Sequence, residues 1–239
     1  MQCLLPLLNS PLLAWTLESL AADGVEEIFI FVRDGVSEVR DWLRCVFPRS
    51  DDGPFVGGPT CARPANSPAP DSSSTYSGGS SPLQITLRPT TALTSGDVLR
   101  EVDSLQILAP ADFLVVQAGY VGSLSLGDRV KEFTSRRTRD PNLCLACVVA
   151  PTSLPSAKYA VHVLEGPDDR LLHYEESRPF PRIPYATIPR EQLEGNREVH
   201  ARVDLEAVGV AICSVEVPPL FTENFDYQFV YPDFVNGIL

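Results

Sequence analysis

Short apolar runs alternate with segments of helical periodicity through most of the chain. Strands are predicted at residues 26–32, 83–88, 112–118 and 143–150. The run at 26–32 is short and continuously apolar, which is typical of a strand buried on both faces of a parallel sheet. Apolar residues at three- and four-residue spacing predict helices at residues 12–23, 36–46, 95–108 and 125–137. Because strands that alternate with helices form βαβ units, the pattern predicts a parallel sheet.

The pattern changes after residue 151. Residues 159–165 and 170–176 flank the turn sequence Gly-Pro-Asp-Asp at 166–169, which predicts a β-hairpin, and residues 199–203 and 208–213 are predicted as further strands. The predicted fold class is α/β, with a Rossmann-like, mixed but mainly parallel sheet and a small antiparallel annex.

Residues 48–82 interrupt the pattern. Proline, serine and glycine dominate this segment, and no hydrophobic period survives in it. Such a composition buries too little apolar surface to offset the entropy of ordering, so we predict a disordered insertion in a surface loop, without chemistry of its own. Because long loop insertions cost little closure entropy, we predict one domain over residues 1–239.

Composition narrows the class of partner. The 239 residues carry a formal net charge of −12, and 44 % of them are hydrophobic, which is enough for a sizeable core. The acidic balance argues against direct nucleic-acid binding, which needs a basic face, and it favours basic partners. No apolar stretch approaches the roughly 18 residues that span a bilayer, so we expect no membrane partner.

The cysteines follow no disulfide or metal-binding pattern. They occur at positions 3, 45, 61, 144, 147 and 213, in a chain that is not small, which favours a reducing compartment. Cys144 and Cys147 form one CxxC in a predicted strand, where residues three apart face opposite sides. We interpret both as small buried apolar residues and expect no metal site, since His162, His173 and His200 are also scattered.

The most specific signal lies near the C-terminus. Residues 220–228 read Leu-Phe-Thr-Glu-Asn-Phe-Asp-Tyr-Gln, and Phe-Val-Asn-Gly follows at 234–237. This sequence resembles the end of the nucleotidyltransferase-like domain in the epsilon subunits of eukaryotic translation initiation factor 2B, the guanine-nucleotide exchange factor for initiation factor 2. The resemblance implies that Asn224 and Phe225 bind a partner. Alternatively, Phe225 packs under its own loop and Asn224 caps a turn.

Most of the chain resembles these subunits in order. Further matching segments lie at residues 12–20, 24–31, 112–116, 136–137 and 210–214. The resemblance implies a cytosolic hetero-oligomer of five different subunits, in which this domain contacts the other initiation factor 2B subunits and initiation factor 2. In that family, exchange resides in a C-terminal helical-repeat domain, which we expect to be absent here. Exchange is therefore expected from the full complex only.

Three features that nucleotidyl transfer needs are not recognisable in the sequence. They are a glycine-rich loop for phosphates, a basic residue on the transferred phosphate and an aspartate that holds Mg²⁺. Residues 4–12 resemble the segment after that loop in sugar-nucleotide pyrophosphorylases, but Gly119 stands where the resemblance places the aspartate. We predict a pseudo-nucleotidyltransferase without catalytic residues or cofactors. The alternatives are an active pyrophosphorylase with an incomplete N-terminus, and a remnant that does not fold alone.

A second candidate site lies at the start of a predicted helix. Ser95, Gly96 and Asp97 resemble the Gly-Asp segment that opens the corresponding helix of the epsilon subunits. Amides at a helix N-terminus can bind an anion or a nucleotide base, so these three residues are a candidate vestigial nucleotide-binding site. The alternative is a capped helix in which Asp97 complements the helix dipole.

Overall fold

The computed structural model describes residues 2–47, 55–56, 83–122, 124–152, 160–166, 169–176, 187–190, 193 and 198–239. The predicted insertion at 48–82 therefore lies outside the described residues, except for a two-residue strand. The chain divides into two units, one from residues 1–93 and 115–143 and the other from residues 94–114 and 144–239.

Helices and strands alternate as the α/β pattern predicts. The described α-helices are α1 (Leu12–Ala22), α2 (Val36–Val46), α3 (Ser95–Leu105), α4 (Leu126–Arg139), α5 (Val217–Glu223) and α6 (Val235–Ile238). The described strands are β1 (Pro6–Leu7), β2 (Ser10–Pro11), β3 (Glu27–Val32), β4 (Phe55–Val56), β5 (Gln84–Pro89), β6 (Phe113–Val116), β7 (Leu145–Pro151), β8 (Ala160–Glu165), β9 (Arg170–Glu176), β10 (Val199–Arg202) and β11 (Leu205–Cys213). No helix in the described part of the chain is long and apolar enough to cross a membrane.

The first unit contains a parallel βαβ arrangement. β3 and β5 pair in parallel, with Ile30 opposite Leu87, and α2 lies between them in the chain. Leu17, Val39 and Ile85 lie in one core cluster to which α1, α2 and β5 contribute. Burying these apolar faces is what fixes the two helices on the sheet, since each fully buried aliphatic side chain contributes about 1.5–3 kcal/mol.

The second unit is antiparallel in the sheets whose register the structure gives. β7 pairs with β11, and β8 lies between β9 and β10. The β8–β9 pair confirms the predicted hairpin. Together with the parallel pair of the first unit, these pairs make a mixed α/β protein, which confirms the α/β part of the predicted class. The Rossmann-like, mainly parallel order stays a prediction.

Helix α5 is absent from the sequence prediction. Its first turn contains Pro218 and Pro219, which suggest an irregular segment when they are read alone. Proline is nevertheless tolerated in the first turn of a helix, where its missing N–H has no intrahelical partner to lose. Val217 and Phe221 are fully buried on α5, so packing supplies the stabilisation that this short helix lacks by itself.

Candidate functional site

The start of α3 and the segment that follows α5 form one hydrogen-bonded cluster in the second unit. Helix α3 begins with a capping box. The backbone N–H of Asp97 donates to the Thr94 hydroxyl at 3.1 Å, and the N–H of Thr94 donates to the Asp97 carboxylate at 3.2 Å. The local sequence therefore explains why a helix starts at Ser95, as the capped-helix alternative expects.

Ser95 and Gly96 both contact the C-terminal segment of the chain itself. The N–H of Gly96 donates to the Gln228 carbonyl at 2.8 Å, and the Ser95 hydroxyl accepts from the N–H of Val230 at 3.3 Å. A Cβ atom added to Gly96 would overlap the Tyr227 carbonyl oxygen and lie 2.9 Å from the Gln228 oxygen. Glycine is thus required here because two backbones approach closely.

These contacts bear on the candidate nucleotide-binding site. The amides of Gly96 and Asp97 already donate to the Gln228 carbonyl and the Thr94 hydroxyl. A phosphate or base that used the same amides would have to displace these acceptors. Nucleotide binding at Ser95–Asp97 stays a prediction, and it requires the C-terminal segment to move.

Asn224 organises a tight turn directly after α5. Its side-chain oxygen accepts a hydrogen bond from the N–H of Asp226 at 3.1 Å, and its carbonyl accepts from the N–H of Tyr227 at 3.3 Å. The first bond is the asparagine turn in which a side chain replaces a backbone acceptor. We call residues 224–228 the Asn224 turn.

Phe225 lies at the tip of this turn and points its ring to solvent. The residue is 70 % exposed, whereas Phe221, four positions earlier, is fully buried. The Phe225 carbonyl accepts from the Gln228 side-chain amide at 2.7 Å, which holds the backbone at the tip of the turn. This geometry agrees with the alternative that Asn224 caps a turn. It does not agree with the alternative that Phe225 packs under its own loop.

Arg100 of α3 lies beneath the turn. Its guanidinium donates to three backbone carbonyl oxygens in and directly before the turn. Nε donates to the Phe221 carbonyl at 2.9 Å, and one terminal nitrogen donates to the carbonyls of Phe225 at 3.1 Å and Tyr227 at 2.7 Å. The other terminal nitrogen pairs with the Asp97 carboxylate at 3.0 Å. Its guanidinium carbon lies 5.1 Å from the centre of the Phe225 ring, within cation–π range.

Sequence reasoning missed Arg100. The only local signal is its three-residue spacing from Asp97, which predicts an ion pair along the helix. Nothing in that spacing indicates that the same guanidinium binds carbonyls more than 120 positions away, since the partners lie 121, 125 and 127 residues along the chain.

Three aromatic rings form the base of the turn, and two of them, those of Phe221 and Phe234, belong to fully buried residues. Phe221 stacks on Phe234 with ring centres 4.7 Å apart, and Tyr227 meets both rings edge-on at 5.8 Å and 5.4 Å. Asp233 adds a polar contact, because its carboxylate accepts from the N–H groups of Gln228 and Phe229, both at 3.0 Å. The Phe-Tyr-Phe spacing of the C-terminal sequence therefore builds the support of the turn.

Gly119, where the resemblance places the aspartate of active nucleotidyltransferases, lies in a turn of the first unit. Gly119 has a φ of +93°, a conformation that favours glycine over residues with a Cβ. Next to it, the Tyr120 carbonyl accepts from the Thr16 hydroxyl at 2.6 Å, which ties the turn to α1. This turn offers no side-chain ligand at position 119.

Metal-ligating residues do not cluster in the described part of the chain, where no group of three or more His, Cys, Asp or Glu residues is placed to hold an ion. Cys144 and Cys147 are partly buried thiols that form no disulfide, and burial raises the pKa of Cys147 to about 12, which keeps its thiol protonated. His162 is buried, and that burial lowers the pKa of its imidazole.

Comparison with known proteins connects the whole chain with one kind of subunit. The chain is 30 % identical over 244 aligned residues to translation initiation factor eIF2B subunit epsilon of Schizosaccharomyces pombe, an alignment that covers 100 % of this chain and 31 % of that protein. It is 28 % identical over 241 residues to the subunit of the same name from Dictyostelium discoideum, covering 99 % of this chain and 30 % of that protein. The chain thus spans about a third of the length of these curated relatives. No family model matches it.

Proposed function

This chain is related to the epsilon subunit of translation initiation factor eIF2B, and on this premise we propose that it is a non-catalytic, nucleotidyltransferase-like domain that helps to assemble the guanine-nucleotide exchange factor for initiation factor 2. The two relatives support a role connected with eIF2B in translation initiation. The assembly role, the cytosolic location and the lack of catalysis are parts of the proposal.

We propose that the two compact units of the chain belong to one nucleotidyltransferase-like domain over residues 1–239. We propose that its strands follow the Rossmann-like, mainly parallel order. The parallel β3–β5 pair, joined through α2, supports this order, because a crossover helix is how parallel neighbours are usually connected. The antiparallel β8–β9–β10 sheet would be the annex.

The observation that carries the assembly role is the exposed Phe225 ring on a hydrogen-bonded turn. Phe225 is 70 % exposed as a residue and is not part of the buried core, and exposed aromatic residues are frequent anchors of protein interfaces. Asn224 fixes the backbone next to it through the Asp226 N–H. The partners that we propose are the other eIF2B subunits and initiation factor 2.

Replacing both Asn224 and Phe225 with alanine is expected to weaken binding to these partners by about tenfold or more, because interface anchors are commonly worth at least 1–2 kcal/mol. The measurement is quantitative co-purification of the tagged chain with co-expressed eIF2B subunits, and separately with initiation factor 2. Circular dichroism should show that the variant remains folded.

A matched control is Val203→Ala, which shortens another apolar residue that is 61 % exposed in the same unit. We expect it to co-purify like the wild type. Retention of both partners by the Asn224→Ala, Phe225→Ala variant would exclude the proposed role of this turn, and so would unfolding of that variant without a specific loss of binding.

We also expect no nucleotidyl transfer. Gly119 provides no carboxylate for Mg²⁺, and its positive φ disfavours any residue that could provide one. Purified chain with Mg²⁺, nucleoside triphosphates and a panel of sugar phosphates should release pyrophosphate at the background rate, alongside an active sugar-nucleotide pyrophosphorylase as control. Turnover above background would favour the pyrophosphorylase interpretation instead.

We propose further that guanine-nucleotide exchange requires the full complex. The chain aligns with about a third of the length of its relatives. We assign no described residue a role in the release of GDP. The chain by itself should then leave the rate of GDP release from initiation factor 2 unchanged.

A further inference from the structure

We infer that Arg100 is a positioning residue, which holds the Phe225 ring in the orientation that a partner binds. The inference rests on the proposed function of the Asn224 turn. Arg100 belongs to α3, more than 120 residues before the turn. The resemblance to epsilon subunits assigns it no function.

The first support is the way in which Arg100 binds the backbone on both sides of the turn. Its guanidinium donates hydrogen bonds to the carbonyl of Phe221 before the turn and to the carbonyls of Phe225 and Tyr227 within it, at 2.7–3.1 Å. Three acceptors on one rigid, planar donor group fix the path of the chain between them. The direction in which the Cα–Cβ bond of Phe225 leaves the backbone is thereby determined.

The second support is the contact with the ring itself. The guanidinium carbon lies 5.1 Å from the ring centre of Phe225, where a cation is attracted to the face of an aromatic ring. Phe225 as a residue is 70 % exposed, so this contact is made by a side chain that lies largely at the surface. A ring held in one orientation before binding loses less conformational freedom when a partner covers it.

The third support is the division of exposure between the two side chains. The Arg100 side chain is only 13 % exposed and is itself fixed by Asp97 at 3.0 Å. It is therefore shielded from a partner that approaches the exposed ring, and its effect on binding would pass through Phe225. This separates a positioning residue from a residue that contacts the partner directly.

Lysine cannot replace this arginine. The lysine ammonium group has three N–H donors on a single nitrogen atom. The planar guanidinium of arginine can instead reach separated acceptors with its several nitrogens while its flat face lies against an aromatic ring. Arg100→Lys keeps the charge, and Arg100→Met keeps the apolar stem without the charge. We expect both variants to weaken binding to the partner by about tenfold, which would show that the shape of the donor group matters.

The decisive experiment is a double-mutant cycle with full-length chain. Affinity for initiation factor 2, and in a parallel series for the co-expressed eIF2B subunits, is measured for the wild type, Arg100→Met, Phe225→Ala and the double variant. If Arg100 acts through the ring, Arg100→Met weakens binding in the wild type but changes it less than twofold once Phe225 is alanine. Arg129→Met, which removes an arginine paired along α4 with Glu132 at 2.9 Å, is the matched control and should not weaken binding.

A second measurement reads the ring directly and needs no partner. 4-Fluorophenylalanine placed at position 225 reports ring order through its fluorine resonance. We expect Arg100→Met and Arg100→Lys to shift and narrow this resonance as the ring becomes mobile, while the chain keeps its circular dichroism spectrum.

The outcomes separate this inference from the function on which it rests. If Phe225→Ala weakens binding but the effect of Arg100→Met simply adds to it, or the fluorine resonance is unchanged, the positioning role is wrong and the interface stands. If Phe225→Ala leaves binding unchanged, the interface is wrong, and the positioning role falls with it. A variant that is unfolded by circular dichroism, with Arg100→Lys equally unfolded, would assign Arg100 to stability and overturn the inference.

Discussion

Replacing Gly96 with alanine is expected to lower the free energy of unfolding by about 3 kcal/mol or more, which is at the upper end of the cost of overpacking. The added Cβ would overlap the Tyr227 carbonyl oxygen and crowd the Gln228 carbonyl at 2.9 Å. Both are backbone atoms, so no side-chain rotation can relieve the contact. The Asn224 turn would have to move away from α3, and the Gly96–Gln228 hydrogen bond of 2.8 Å would lengthen or break.

The matched control for this substitution is Gly127→Ala. Gly96 and Gly127 are both the second residue of a helix, α3 and α4. A Cβ on Gly127 would lie 3.1 Å from the Asp23 carbonyl oxygen, a contact that a shift of a few tenths of an ångström relieves. Alanine also gains up to about 1 kcal/mol of helix propensity over glycine. Urea denaturation followed by circular dichroism should show a change within about 1 kcal/mol for Gly127→Ala. Equal losses for the two variants would mean that the close approach at Gly96 does not exist in solution.

Replacing Phe221 with alanine is expected to lower the free energy of unfolding by about 3–5 kcal/mol, the range for a phenylalanine removed from a packed core. The Phe221 ring is fully buried and contacts Phe234 at 4.7 Å and Tyr227 at 5.8 Å between ring centres. Its loss leaves a cavity under the turn that these two rings cannot fill without moving. The backbone at position 221 is then expected to shift, which would weaken the hydrogen bond that Arg100 donates to its carbonyl oxygen.

Phe225→Ala provides the internal comparison, since it is the same substitution four residues along the chain. Phe225 is 70 % exposed, so the expected change in stability is about 0.5 kcal/mol or less. Near-ultraviolet circular dichroism and urea denaturation of the two variants measure the difference. A similar loss of stability in both would show that Phe225 packs in the core in solution, and the proposed interface would then lose its exposed anchor.

The two predictions together distinguish residues that stabilise the Asn224 turn from a residue that binds the partner. Gly96 and Phe221 hold the Asn224 turn against α3, and their variants are expected to lose stability and partner binding together. Phe225 is expected to lose partner binding alone. Comparing stability with co-purification for the same set of variants therefore tests whether the turn is a structural element, an interface or both.

Local sequence determined most of the helices and strands. The helix predicted at residues 12–23 is α1, which ends at Ala22 and is followed by Gly24 with a φ of +84°. The hairpin predicted around residues 166–169 is present as β8 and β9. These elements are predictable because their signals, the hydrophobic period and the turn residues, act over a few neighbouring positions.

Element ends were less well predicted where a tertiary contact or a single backbone conformation decides them. The helix predicted at residues 95–108 ends at Leu105, where Gln106 adopts a left-handed φ of 49°. The strand predicted at residues 208–213 begins earlier, at Leu205, because β11 pairs with β7 as far as Pro151. Helix α5 was missed since its prolines disfavour a helix locally, while burial of Phe221 stabilises one.

The sequence by itself determined the α/β class, the relation to eIF2B epsilon subunits, and the candidate residues Asn224 and Phe225. Only the tertiary structure decided that the segment directly after these two residues contacts Ser95 and Gly96, and that Arg100 binds the carbonyls of Phe225 and Tyr227. The reason is physical: a capping box or an asparagine turn is encoded within three residues, whereas the contact of Gly96 with Gln228 closes a loop of more than a hundred residues. Such a contact is specified by the packing of α3 against α5 and the fit of two backbones, which no local pattern contains.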